Sequence, residues 1–151
     1  MRVVLASASL LACLGALMPR SEAQDRGDPF APLRAVRPGD VVRVPPRALA
    51  LIPERHVGRM VRFVDELVAI EPVFDEVATA AGLDVRRAVQ LRTREARIPI
   101  FVAKTEAVIA TLLDARMGAS LEIEGLLVER TGRFHLLAAT VRTRASTATG
   151  R

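Results

Sequence analysis

Apolar and polar positions alternate through the middle of this chain. The period switches once to helical spacing and then returns to alternation. In residues 58–70, Val61 and Phe63 point one way and Arg62 and Val64 the other. That pattern predicts a long strand, bent at Asp65-Glu66 and ended by Pro72. Residues 75–81 predict a short helix closed by Gly82. Residues 88–93 alternate again, with Val89 and Leu91 on one face and Gln90 and Arg92 on the other. Residues 97–103 predict a third strand, with Ile98, Ile100 and Val102 on one face. Pro99 falls inside it, which argues for an edge position or a bulge.

Helical spacing begins at Thr105, which can cap an N-terminus, with Glu106 at the positive end of the dipole and Gly118 at the close. Val108, Ile109, Leu112, Leu113 and Met117 fall on one face. Period two resumes at Leu121, Ile123 and Leu127, with Glu122 and Glu124 outward. Gly125 interrupts this strand and suggests a bulge or a tight bend. Thr131-Gly132 makes a turn into a last strand over 134–141. The expected shared core is Val61, Phe63, Ile100, Val102, Leu112, Leu121, Ile123 and Leu127.

This is an all-β order with one helix between the third and fourth strands, as in a five-stranded OB-fold Greek-key barrel. The residues at Gly58 to Phe63, Ala115-Arg116-Met117-Gly118 and Leu121-Glu122-Ile123-Glu124-Gly125, with the final hairpin, carry a resemblance. It is to exported bacterial members of the anticodon-binding-like OB-fold group, and it covers roughly residues 57–142. It consists of strands and glycines, not of a catalytic signature. The segment between Pro72 and Arg87 is longer than a minimal first loop, which leaves the second strand's position open.

The N-terminus changes the picture. Arg2 precedes a 16-residue uncharged run, Val3 to Met18. Pro19 breaks the run, and Ser21-Glu22-Ala23 offers small residues at the −3 and −1 positions. This predicts an export signal over 1–23, with a mature start at Gln24 and a periplasmic or extracellular address. The run is short of the roughly 20 residues that cross a bilayer, which weighs against the alternative of an uncleaved anchor. Leu10-Leu11-Ala12-Cys13 loosely resembles a lipobox, but would leave a hydrophobic mature start at Leu14. No membrane span is expected after cleavage. Residues 24–47 read as a linker rich in Pro and Arg, with a short strand near 41–44; the domain spans 48–143 and a polar tail 144–151.

Removing 23 of the 151 residues leaves 128, enough for one domain with a core. That mature chain carries 20 basic and 16 acidic residues, a net +4. Across the full chain Lys104 is the sole lysine beside 21 arginines, a bias that suits anion recognition and also a GC-rich genome. The one cysteine, Cys13, lies in the signal, so disulfides and cysteine-held metals are excluded from the mature chain.

Catalytic motifs are absent from the sequence. His56 and His135 have no ligand-spaced partner and read as packing residues. A triad of Ser120, His135 and Asp114 has no support in spacing. Asp65, Glu66, Glu71, Asp75 and Glu76 cluster in sequence and could hold a hard cation, but without calcium-loop spacing they read as a solvated strand end. No metal and no cofactor is expected.

Arginine gives the strongest signal. An OB-fold ligand usually lies across strands two and three, flanked by the first loop and the last hairpin. Arg86 and Arg87 end that loop, Arg92 and Arg94 lie on or beside strand two, and Arg130 and Arg133 flank the hairpin turn. These six could converge on one anion-binding groove, or be dispersed and paired with Glu95, Glu129 and nearby acids. Strand two has no aromatic residue for base stacking, and Phe63 and Phe101 read as core. The expectation is a secreted or periplasmic, non-enzymatic OB-fold module for a protein or a small anionic ligand. Polyanion or single-stranded nucleic acid binding through the six arginines is the alternative. A metal-dependent hydrolase built on the 65–76 carboxylates is the third possibility.

Overall fold

The computed structural model describes residues 27–36, 39–72 and 74–144. The expected export signal over 1–23, the start of the 24–47 segment and all of the tail beyond Arg144 lie outside the described residues. The strands are β1 (Val41–Arg43), β2 (Met60–Glu71), β3 (Ala88–Thr93), β4 (Ile100–Ala103), β5 (Ser120–Arg130) and β6 (Arg133–Thr143). The helices are α1 (Ala31–Ala35), α2 (Pro46–Leu51), α3 (Glu76–Ala80) and α4 (Glu106–Asp114), with a 3-10 turn at Pro53–His56.

Strand order is β1-β2-β3-β4-β6-β5, and β2 also pairs with β5. Strands β2 to β6 therefore close into a five-stranded barrel, with β1 added in parallel at the start of β2. The fold is OB-fold-like and all-β, with α4 between the third and fourth barrel strands, as the periodicity predicts. Closure requires β2 to serve two neighbours. Its residues 60–66 pair with β5 and its residues 67–71 with β3, with a register shift between Leu67 and Ala69. The break thus falls just beyond the expected Asp65-Glu66 bend.

Gly125 sits at a second register shift, between Glu124 and Gly125 on β5. A Cβ there would lie 2.5 Å from the Leu137 carbonyl oxygen, so only glycine lets β5 and β6 approach this closely. Thr105 caps α4, its hydroxyl accepting from the Val108 N–H. All eight expected core residues are buried in one cluster inside the barrel, with Leu49, Leu67, Leu91 and Leu136.

Two local expectations are corrected. Pro99 precedes β4 instead of interrupting it, and β4 is an interior strand between β3 and β6, so no edge is needed. The Pro99 carbonyl accepts from the Leu136 N–H at 2.9 Å. Helix α4 stops at Asp114, and the chain leaves it in extended conformation at Ala115. Leu113 and Met117 are consequently 81% and 57% exposed, not part of the inward face. The described part of the 24–47 segment packs on the barrel: Phe30 and Val44 are buried, and β1 forms where a short strand is expected.

Candidate functional site

The six candidate arginines fall into separate settings. Arg86 and Arg87 stand at the start of β3, beside Lys104, and line a 440 Å³ cleft with Asp28, Pro29 and Phe30. Arg92 and Arg94 stand at the other end of β3, roughly 16 Å away at ~3.3 Å per residue. Arg92 pairs with Glu71 at 3.2 Å and Arg94 with Glu66 at 2.7 Å. Arg133 reaches Asp75 at 3.4 Å. Arg130 lies in a shallow cleft against α3, with Glu76 and Val77. Arg92, Arg94 and Arg133 therefore carry carboxylate partners, from strand β2 and the loop after it.

Carboxylates of this cluster have structural duties. Asp65 is buried and accepts from the backbone N–H groups of Glu66, Glu95 and Ala96, at 2.8, 2.9 and 2.9 Å, which fixes the turn after β3. Glu71 also accepts from the Gln90 side-chain amide at 2.8 Å. Asp75 caps α3 by accepting from the Ala78 N–H at 2.6 Å, and lies 3.4 Å from His135 Nε2. Burial pushes the Asp75 carboxyl up, but the Ala78 N–H, His135 and Arg133 together hold it below its ordinary value. His135 is only 1% exposed, and its Nδ1 has no partner in the structure. Among the described residues, no group of three or more His, Cys, Asp or Glu is placed to hold a metal ion.

The outer face of β4, part of the wall where OB-folds usually take ligands, is covered by this chain's own side chains. On β4, Ile100 and Val102 point into the barrel while Phe101 points out; on β6, Leu136 points in and Leu137 out. Phe30, Ala78 and Leu83 bury this outer face together with Ala88, Phe101 and Leu137, and Leu33, Phe74 and Val128 pack around them. Phe74 stacks on Phe101 with ring centroids 5.4 Å apart, and His135 tilts against Phe101 at 5.5 Å. The first loop, with α3, and the α1 segment thus form a lid of apolar residues. Phe101 is buried as expected, but on the outside of the barrel.

The opposite wall is open. A 570 Å³ cleft lies between Pro45-Pro46 and the outer faces of β2 and β5, lined also by Arg43, Arg62, Val64, Glu122 and Arg144. A neighbouring 380 Å³ cleft shares Arg43 and Arg62 and extends to Gly39, Val41 and Glu124. Together they make one elongated groove. Parity places the charges: Val61 and Phe63 fill the core, so Arg62 and Val64 face out, opposite Glu124 and Glu122 on β5. Arg62 Nε donates to Glu124 Oε2 at 2.9 Å and lies 3.9 Å from Glu122. The Glu124 hydrogen bond and charge hold the Arg62 pKa above its ordinary value. Arg43 and Arg144 are exposed, and neither has an acidic partner among the described residues. Three arginines, Arg43, Arg62 and Arg144, against two glutamates, Glu122 and Glu124, leave the groove net positive.

No local signal pairs Arg43 with Arg144. One lies in a proline-rich stretch and the other at the end of the last strand, and only barrel closure brings them to one cleft.

No protein-family model and no curated protein matches the chain. Solved structures similar to it include an Entamoeba histolytica asparaginyl-tRNA synthetase in complex with asparaginyl-adenylate, at 14% identity and a TM-score of 0.48. That likeness covers 68% of this chain and 23% of the synthetase chain. A Replication Protein A heterotrimer bound to single-stranded DNA is similar at 11% identity and a TM-score of 0.39, covering 56% and 57% of the two chains. An OBody bound to hen egg-white lysozyme is similar at 9% identity and a TM-score of 0.46, covering 63% and 90%. The fold assignment rests on this chain's own strand order, closure and helix position.

Proposed function

We propose that this chain is a secreted or periplasmic binding module, not an enzyme, that takes a protein or small anionic ligand in the Arg43–Arg144 groove. One observation carries this: a 570 Å³ cleft on the wall the chain leaves uncovered is lined by three arginines and one glutamate. Its volume lies in the range of about 300–1,000 Å³ typical of ligand sites. The export signal supports the address, and intact-mass measurement of exported protein should give a chain starting at Gln24. Recovery of full-length protein from membranes would support an anchor.

The binding test is a titration of the isotope-labelled protein, residues 24–151, with inorganic phosphate at low and high salt. Resonance shifts should cluster at Arg43, Arg62, Val64 and Arg144, and salt should weaken them. Shifts centred on Arg86, Arg87 and Lys104 would overturn the groove. They would favour polyanion or single-stranded nucleic acid binding, which the 440 Å³ cleft with those three cations supports.

A further inference from the structure

The open groove is not uniformly basic, and strand register sets out its charges in order. Arg43 of β1 lies beside Arg62 of β2, and Arg62 beside Glu124 of β5. Two residues along, Val64 of β2 lies beside Glu122 of β5, and Glu122 beside Arg142 of β6. Arg144 follows just beyond β6, where its N–H donates to the Ser120 carbonyl at 2.8 Å. Val42 and Val44 pack into the core, so Arg43 turns outward; Leu121 and Ile123 do the same for Glu122. The strand order β1-β2-β5-β6 therefore puts Glu122 between Arg43 on one flank and Arg144 on the other. All three line the 570 Å³ cleft. The two flanks are three strand spacings apart, roughly 14 Å at ~4.8 Å each.

The two glutamates of the groove are held differently. Glu124 accepts from both Nε and Nη2 of Arg62. Glu122 accepts no hydrogen bond from the described residues. Its one ion pair there is with Arg62 Nε at 3.9 Å, beyond hydrogen-bond reach. Arg142, beside it in register, forms no ion pair with it. The cleft thus presents a carboxylate without a donor between two cations without acids. A simple anion satisfies the cations and is repelled by Glu122. A ligand that also carries a donor cation satisfies all three. Deepening the groove reading above, on which this rests, we propose that the ligand is a small amphoteric molecule. Two acid groups meet Arg43 and Arg144, and an amine between them donates to Glu122, the specificity-determining residue.

The test compares nonanedioate with 5-aminononanedioate, a pair that differs only by the central amine. Titration calorimetry at low salt measures both against wild type, E122Q, R43S and R144S. In wild type the amine should tighten binding about fivefold, as a partly exposed charge-assisted pair forms. In E122Q that preference should vanish, with nonanedioate bound at least as tightly as by wild type. R43S and R144S should each weaken both diacids, and all three variants should keep the wild-type melting curve. If wild type prefers the amine-free diacid, or E122Q keeps the preference for the amine, the role of Glu122 is overturned. The anion groove then stands, provided R43S and R144S still weaken nonanedioate. If neither diacid binds, or binding ignores R43S and R144S, the groove itself fails and the amphoteric ligand with it.

Discussion

The β4–β6 wall and the β2–β5 wall are parts of one barrel treated in opposite ways. Both put aliphatic side chains into the same core. Outside, β4 and β6 carry Phe101 and Leu137 beneath a lid, whereas β2 and β5 carry Arg62, Glu122 and Glu124 beside an open cleft. The first wall is buried on both faces and contributes stability. The second is buried on one face, and its outer charges can change with little cost to folding. A shared fold does not fix which wall serves a ligand.

The difference can be broken by mutation. Phe101→Ala removes a ring that is fully buried outside the barrel and should cost about 3–5 kcal/mol, whereas Val64→Ala on the open wall should cost about 1 kcal/mol or less. Denaturant melts of the two variants measure this directly, and equal losses would mean that the lid contributes nothing.

Gly125 joins the walls, pairing with Val61 of β2 on one side and Ala138 of β6 on the other. Gly125→Ala should destabilise by about 1–3 kcal/mol, because the clash is with backbone and not with a flexible side chain. An unchanged melting temperature would show that the two strands can separate without loss.

Asp75 holds the lid to the closed wall through His135 and Arg133. Asp75→Ala should cost about 1 kcal/mol at neutral pH, mainly from the lost cap of α3. The folded carboxyl titrates below its ordinary value of 3.8, so its contribution is complete above that pH and lost as pH falls through the folded value. The gap between wild type and Asp75→Ala should narrow in acid. A gap that widens in acid would reverse the sign assigned to Asp75.

Smallest of all, R43S/R144S should shift stability by no more than about 0.5 kcal/mol, since both side chains are exposed. A large loss would place these arginines in the scaffold, not in a binding groove.

Much of the fold was legible because period two and period 3.6 each marked their elements: strand parity gave seven of the eight core positions and helical spacing gave Leu112. The closed wall also left a trace. Ile100-Phe101-Val102-Ala103 and Leu136-Leu137-Ala138-Ala139 are continuous apolar runs, which mark strands buried on both faces. Taking only one face of each run as core hid the lid. Dispersal of the arginines was an open alternative, but the acids they meet were not legible. Glu71, Glu66 and Asp75 meet Arg92, Arg94 and Arg133 only through strand register and the fold of the first loop. Helix α4 misled for a different reason: the spacing that placed Leu113 and Met117 inward assumed a helix reaching Gly118, and the chain turns at Ala115.

The most direct measurement follows backbone resonances of residues 24–151 while inorganic phosphate is added. Ligand on the open wall predicts shifts at Val41, Arg43, Arg62, Val64, Glu122 and Arg144, with Ala88, Phe101, His135 and Leu137 unmoved. Shifts at the second set, with the first set still, would show that the lid opens and that the ligand sits on the wall described here as closed.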